Sequence, residues 1–469
     1  MASYREPGVY MSVVDKTTNT TIQAPRMVPF LIGTASDKIE TYVQVTRSST
    51  LAYDVITGVS AVADIISVGF KPTQSYFVVG SSGDCTASLV TEGEDSEIRL
   101  TWSESGQAKI IAGSTYYVRF YKDLDLSESG IITLYASDIG NIPSILGPYL
   151  FKNTAGETQI NHLALCSYLA LLNGAPILKV LSVETADAAS YSTALENYAF
   201  FDEAVWRIVP TDTPYTATSA AFKAIHLAID NHIKTCSTYV EKKERTGIYG
   251  FASSTVDLQA VENYAKSKSY YRVTTPYPNV CDIQIPDGDI VTNLGPEFIC
   301  AAYAGYEASV AGYVPKTRGK LTGIYRLKNT KLTRTKMNEL AEAGVMVLTQ
   351  PDGDGGSVVI RHQLTTDTEN TTPGLNENSI VSIRDYVAKR ARQVCDAYIG
   401  GTNISADLTT RIKASLDSEL ASLASEGYIL SGAVEGVEQD STNPSAVYVA
   451  LRIFVPHPCN YIDITMYAE

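Results

Sequence analysis

The clearest pattern lies near the carboxyl end of the chain. Ile380, Ile383, Val387, Ala391, Val394 and Tyr398 recur at spacings of three and four, while Asp385, Lys389, Arg392 and Asp396 take the opposite side, which is the period of an amphipathic helix. Gly400-Gly401 supplies its stop. A second helix is predicted by Leu408, Ile412, Leu416, Leu420 and Leu423, with Ser405 placed to cap it and Gly427 to end it. The two make a helical hairpin. Val447, Val449, Leu451, Ile453 and Val455 then alternate with Tyr448, Ala450, Arg452 and Phe454, and beyond Pro456-His457-Pro458 a second alternating run extends from Tyr461 to Tyr467. Alternation predicts strands.

Upstream the texture changes twice. From Tyr42 to Tyr135, short runs rich in Val, Ile, Thr and Tyr are separated by Gly, Ser and Asp, among them Tyr76 to Val79, Glu97 to Trp102, Tyr116 to Phe120 and Ile131 to Tyr135. Such spacing suits an all-β sandwich or barrel, expected here as an outward-facing insertion. From Pro148 to Gly356, helical and strand signals alternate: a helix at His162 to Leu172, strands at Ile177 to Leu181 and Val205 to Pro210, and a helix near Ser219 to Cys236. A helix at Glu297 to Ala311 and a strand at Val345 to Leu348 continue the series. This alternation predicts an α/β layer on a partly parallel sheet. The fold class expected is therefore mixed α/β and multidomain. The reading divides it into an amino-terminal arm and first core strand (1–35), an inserted β-rich outer domain (36–147), an α/β middle domain (148–356) and a carboxyl-terminal core with a strand arm (357–469). Val9 to Val14 at the other end also reads as extended, followed by a buried strand at Val28 to Gly33.

Composition narrows the class. The chain has 469 residues, 45% hydrophobic and 19% charged, as in folded globular proteins rather than disordered ones. Acidic residues outnumber basic ones by 51 to 37, an excess that repels phosphate backbones, so no nucleic-acid partner is expected. No uninterrupted apolar stretch is long enough for a membrane helix, and the opening Met1 to Pro7 lacks the pattern of a secretory signal. The seven cysteines are scattered without a zinc or redox spacing and read as reduced, mostly buried thiols. His226 and His232 are the nearest histidines, yet their spacing puts them on different helical faces, so separate structural roles are expected.

Chemistry is sparse. No HExxH, Walker A, GxGxxG or GxSxG pattern occurs, and no metal or cofactor is expected. Pro351-Asp352-Gly353-Asp354-Gly355-Gly356 suits a tight turn between two strands better than a calcium loop. The exception to the acidic background is Lys316, Arg318, Lys320, Arg326, Lys328, Lys331, Arg334 and Lys336, a stretch with no acidic residue. It fits either an acidic protein partner or a solvated face.

The ordered set of motifs resembles the contractile phage tail sheath family. It comprises Pro7-Gly8-Val9-Tyr10, Val28 to Ala35, Ala302 to Ala308 with Pro315 and Leu321-Thr322-Gly323, Leu332-Thr333, and Leu340 to Gly344. Arg361 to Thr366, the helix Ser379 to Ile399 and Val455-Pro456-His457-Pro458 follow. The resemblance spans residues 1–35 and 295–469, is weaker over 150–295, and is absent over the β-rich insertion. Tyr428 to Pro444 departs from the pattern. The resemblance implies a non-enzymatic subunit, made in the host cytoplasm and placed in the virion tail. It would polymerise with itself into stacked hexameric rings around a tail tube protein, between baseplate and tail terminator proteins, and contract to drive the tube through the host envelope. A sheath of a bacteriocin-like or secretion device fits the same residues, and an α/β enzyme in the middle layer or a carbohydrate-binding insertion using Trp102 and Tyr117 are the alternatives of other kinds. Under the sheath reading, Val9, Tyr10, Met11 and Val13, together with Ile462, Ile464 and Met466, are expected to be strand arms donated between subunits. Lys389, Arg390 and Arg392 are the expected tube-facing cations.

Overall fold

A computed structural model describes residues 27–466 apart from 36–37, 58–61, 63–64, 73, 93–94, 124–125, 127–129, 153–156, 214–218, 253–256, 287, 370–373, 401, 461 and 463. Two units emerge: one comprises residues 1–33, 131–136 and 166–469, the other 34–130 and 137–165.

The first unit is organised on a nine-stranded sheet in the order Lys320–Leu321, Val358–Ile360, Val345–Thr349, Val273–Tyr277, Thr246–Ile248, Val205–Pro210, Val28–Gly33, Ile177–Ser182, Ile132–Tyr135. The six strands from Val345–Thr349 to Ile177–Ser182 run parallel. The edges are antiparallel. Central strands such as Val-Pro-Phe-Leu-Ile-Gly and Val-Trp-Arg-Ile-Val-Pro are buried throughout, as a parallel sheet covered on both faces requires. Because side chains alternate across a strand, Phe30, Ile32 and Ile208 share one core with Tyr191, Phe222, Ile229, Tyr264 and Leu340 from the flanking helices, while Arg207 points the other way to the helix Pro296–Ser309. That helix lies close to the end of the helix His162–Leu172: a Cβ at Gly305 would sit 2.1 Å from the Ala170 carbonyl oxygen. Only glycine fits there.

The helix Asn378–Asp396, which carries the strongest amphipathic pattern, packs Ile383, Tyr386 and Val387 against Leu420 and Leu423 of the helix Ala406–Ser425. Ser405 caps the latter by accepting from the Leu408 amide at 3.2 Å, and Gly427 ends it at φ +86°. Both roles are those read from the sequence.

Two expected boundaries differ. The run Ile131 to Tyr135 pairs antiparallel with Ile177–Ser182 and closes one edge of the main sheet instead of joining the insertion. Residues 357–469 are not separate from 148–356, because Val358–Ile360 joins the main sheet and Asp385 binds Arg272, the residue just before the central strand Val273–Tyr277. Both contacts join residues far apart in sequence, which local patterning does not register.

The second unit holds two three-stranded antiparallel sheets, ordered Lys38–Thr46, Thr115–Asp123, Ile65–Gly69 and Tyr53–Ile56, Asp95–Trp102, Cys85–Glu92. They share a core of Ile56, Val68, Phe77, Ile98, Leu100, Trp102, Tyr116 and Val118. Trp102, which the carbohydrate-binding alternative would need exposed, is 3% exposed. Its Nε1 donates to Asp54 Oδ2 at 2.7 Å, the Tyr116 hydroxyl donates to the same oxygen at 2.9 Å, and Arg47 lies 3.5 Å from Oδ1. A buried carboxylate so satisfied fixes the packing of the two sheets, and leaves Trp102 no face for a sugar.

Candidate assembly surface

The carboxyl-terminal hairpin is built from Ser431–Gln439 and Val447–Phe454, antiparallel, with a register shift between Val434 and Gly436. Its inner face places Val434, Val437, Val449 and Leu451 against Val394, Leu408, Ile412 and Leu416 of the two long helices. Its outer face presents Tyr448 and Phe454, 65% and 55% exposed, beside an Arg452–Glu435 ion pair of 2.5 Å. The hairpin is a sheet of only two strands. Neither strand meets another described strand on its outer side, but on Ser431–Gln439 the Val434 amide already donates to Asp417 Oδ1 at 3.2 Å and its carbonyl accepts from Lys413 Nζ at 2.8 Å, so the outer edge of Val447–Phe454 is the one that can template strand addition.

The tail follows directly. Val455 packs beside the Ile383, Leu420 and Ile429 cluster, and residues 455–460 continue without helix or strand. Ile462, Ile464 and Met466 are 77%, 84% and 85% exposed and form no strand with any described residue. Three large exposed apolar side chains and a hairpin with one open edge have the chemistry of a strand donor and a strand acceptor. Val9, Tyr10, Met11 and Val13 lie outside the described residues.

Of the expected tube-facing cations, none is a free surface charge. Arg390 is 7% exposed; its guanidinium bonds the Tyr386 hydroxyl at 2.6 Å and pairs with Glu419 and, at 3.4 Å, Glu426. Arg392, 6% exposed, holds Glu244 at 2.6 Å. Lys389 is only partly exposed, and burial pulls its pKa down. The helix's polar side, expected to face the tube, is turned toward the rest of the first unit, where Arg390 and Arg392 meet carboxylates distant in sequence. The same holds for Asp385: both oxygens accept from Arg272, at 2.8 Å each, and Oδ2 also accepts from Trp206 Nε1 at 3.2 Å. Arg207 grips Glu307 through Nε and Nη2 at 2.7 and 2.8 Å. Such bidentate pairs fix geometry as well as charge.

The basic stretch is likewise divided. Arg326 and Lys328 neutralise Asp282 and Asp354, and Lys336 pairs with Glu339. Arg318, Lys320, Lys331 and Arg334 are exposed without an acidic partner among the described residues. Lys316 is fully buried, with its ammonium on the Gly312 carbonyl at 2.9 Å. Burial lowers its pKa from 10.5 to about 8. A folded value below the unfolded one means that, between pH 8 and 10.5, the unfolded chain holds the extra proton, so stability rises with pH across that window by up to about 3 kcal/mol. Lys316→Met is expected to melt at a higher temperature than wild type at pH 7.5, with the difference shrinking toward pH 10; a difference that does not change with pH would contradict the assignment.

Among the described residues no cluster of His, Cys, Asp and Glu has metal-binding geometry, and no helix is long and apolar enough to cross a membrane. His226 and His232 serve separately: the first bonds Tyr264 at 2.5 Å, the second lies 3.5 Å from the Cys236 sulfur. Asp352 to Gly356 forms the turn between the Val345 and Val358 strands.

No family model matches the chain. It is 25% identical over 335 residues to the tail sheath protein of Mycobacterium phage Bxz1, an alignment covering 70% of this chain and 54% of that protein. The chain thus spans about half the length of that curated relative. Its fold is that of contractile sheath subunits. The helical sheath of the anti-feeding prophage in its contracted state matches over all of both chains with a TM-score of 0.56 at 13% identity. The sheath complex of the extracellular contractile injection system PVC, also contracted, matches over 73% of this chain and 88% of that one, with a TM-score of 0.53 at 13% identity. A chain of the anti-feeding prophage baseplate matches with a TM-score of 0.56.

Proposed function

We propose that the chain is the sheath subunit of a contractile tail, polymerising around an inner tube and shortening to drive that tube through a cell envelope. The observation that carries this is the agreement of two independent likenesses, a phage tail sheath protein in sequence and contracted sheaths in fold. The open-edged hairpin and the exposed apolar tail supply the means. A strand donated by one copy to another's hairpin links them by main-chain hydrogen bonds, which hold while the bodies they connect rotate. The work of contraction is then the difference between two lattice packings, each a local minimum, and needs no nucleotide, metal or catalysis. A phage tail is favoured over a secretion device because the relative found by sequence belongs to a phage.

The partners that follow are other copies of the chain in stacked hexameric rings, a tube protein, a baseplate and a terminator. With Arg390 and Arg392 engaged internally, Arg318, Lys320, Lys331 and Arg334 are the cations left for an acidic tube surface. The β-rich second unit is assigned to the outside of the sheath, and removal of residues 36–130 is expected to leave polymerisation intact; a folded deletion variant that does not pellet as polymer would refute this placement. Purified protein, raised through micromolar concentration, is expected to pellet as polymer above a threshold; a species that stays monomeric at every concentration would refute the reading.

A further inference from the structure

The tail changes character at a single residue. Up to Asn460 it is held on the body through the half-buried Pro456, Pro458 and Asn460, with His457 and Cys459 exposed between them; beyond it, Ile462, Ile464 and Met466 stand in water. The seat is made by three side chains from separate parts of the first unit. His362 Nε2 lies 2.6 Å from Glu377 Oε1, and the Asn460 side-chain amide donates to that same oxygen at 2.7 Å, with its nitrogen 3.2 Å from His362 Nε2. Glu377 stands at the start of the helix Asn378–Asp396, so the anchor belongs to a rigid element. The neighbouring His457 ring packs against Gly374, where a Cβ would come within 3.0 Å of it and where φ is +89°. Pro456 and Pro458 on either side restrict the backbone between.

We infer that His362, Glu377 and Asn460 form a releasable clasp on the root of the carboxyl-terminal arm, fixing the point from which the arm leaves for a neighbouring copy. The inference rests on the sheath reading for the arm's destination, but the clasp itself rests on this chain alone. Its releasability follows from incomplete satisfaction. Glu377 Oε2 and Asn460 Oδ1 are buried and have no hydrogen-bond partner among the described residues, so part of what the closed clasp gains is offset by desolvation that opening would relieve. Opened, the five residues Pro456 to Asn460 lengthen the arm's reach by up to roughly 17 Å, slack for a link between subunits that move apart. Closed, the clasp holds the arm's direction and raises its effective concentration at an acceptor edge.

Cys459 provides the probe, being the exposed cysteine while the others are buried or partly so. A nitroxide on Cys459, in a Cys395→Ala background, is expected to give a restricted spectrum in the full-length chain. Asn460→Ala should shift it to a mobile spectrum, and Asn460→Asp further, since an isosteric carboxylate loses the donor and repels Glu377. Melting temperature should fall only slightly, because Asn460 joins the fold through this one cluster of hydrogen bonds. The threshold concentration for polymer should rise several-fold in both variants. Equal mobility in Asn, Ala and Asp forms would overturn the clasp. If mobility shifts as stated but no form, wild type included, polymerises, the clasp stands and the sheath reading falls.

Discussion

Deleting residues 461–469 is expected to yield a soluble, folded chain that does not polymerise. The segment holds Ile462, Ile464 and Met466, each more than three-quarters exposed, and its described residues contribute no strand to their own body, so its loss is expected to cost the fold little. If those residues are the strand that one copy lends another, each subunit loses a continuous run of main-chain hydrogen bonds and three buried apolar side chains, each worth about 1.5–3 kcal/mol on full burial. Multiplied along a lattice, that moves the assembly threshold beyond any practical concentration. Sedimentation velocity reads the result directly, with circular dichroism as the check on folding. A truncated chain that pellets like the full-length protein would show that the tail is not the link.

Asp385→Ala is expected to destabilise the first unit by about 3–5 kcal/mol, the usual cost of removing one member of a buried ion pair. Arg272 is 3% exposed and loses both of its carboxylate bonds at once, and Trp206 Nε1 loses its acceptor. The charge stranded there lies between the central strand Val273–Tyr277 and the long helix, so the damage is to the joint that carries the hairpin. Denaturant melts should show the midpoint fall without a change of slope. The double variant Arg272→Met with Asp385→Leu should recover most of the loss, because replacing both charges by apolar groups removes the uncompensated burial. An Asp385→Ala midpoint equal to wild type would mean the pair is not buried as described.

What was legible in the sequence was whatever has a period. The two long helices, their Ser405 cap and Gly427 stop, the Val28 and Val205 strands and the Val447 strand each announce themselves by spacing and are found where the spacing puts them. The first strand of the hairpin was not legible. In Ser431–Gln439 the register shift beside Gly436 breaks the alternation of Val434 and Val437, so the pattern never repeats long enough to register. Also hidden was the fate of the charges on the helix Asn378–Asp396. An apolar stripe says which side is buried; it cannot say that Asp385 and Arg392 on the other side meet Arg272 and Glu244 from segments over a hundred positions away. The expected tube-facing cations were read from one element alone, which does not register that Arg390 pairs with Glu419 and Arg392 with Glu244. Lys316 shows the same error in reverse, a charge counted in a surface run that the fold takes wholly inside.

The central claim, that copies of this chain build a sheath by exchanging strands at their carboxyl ends, is tested most directly by electron cryomicroscopy of the purified protein above its polymerisation threshold. Hollow tubes are expected in which the backbone around Ile462 to Met466 of one copy runs along the open Val447–Phe454 edge of another copy's hairpin. Tubes in which every tail folds back on its own chain, or a preparation that contains only monomers and closed small oligomers, would contradict it.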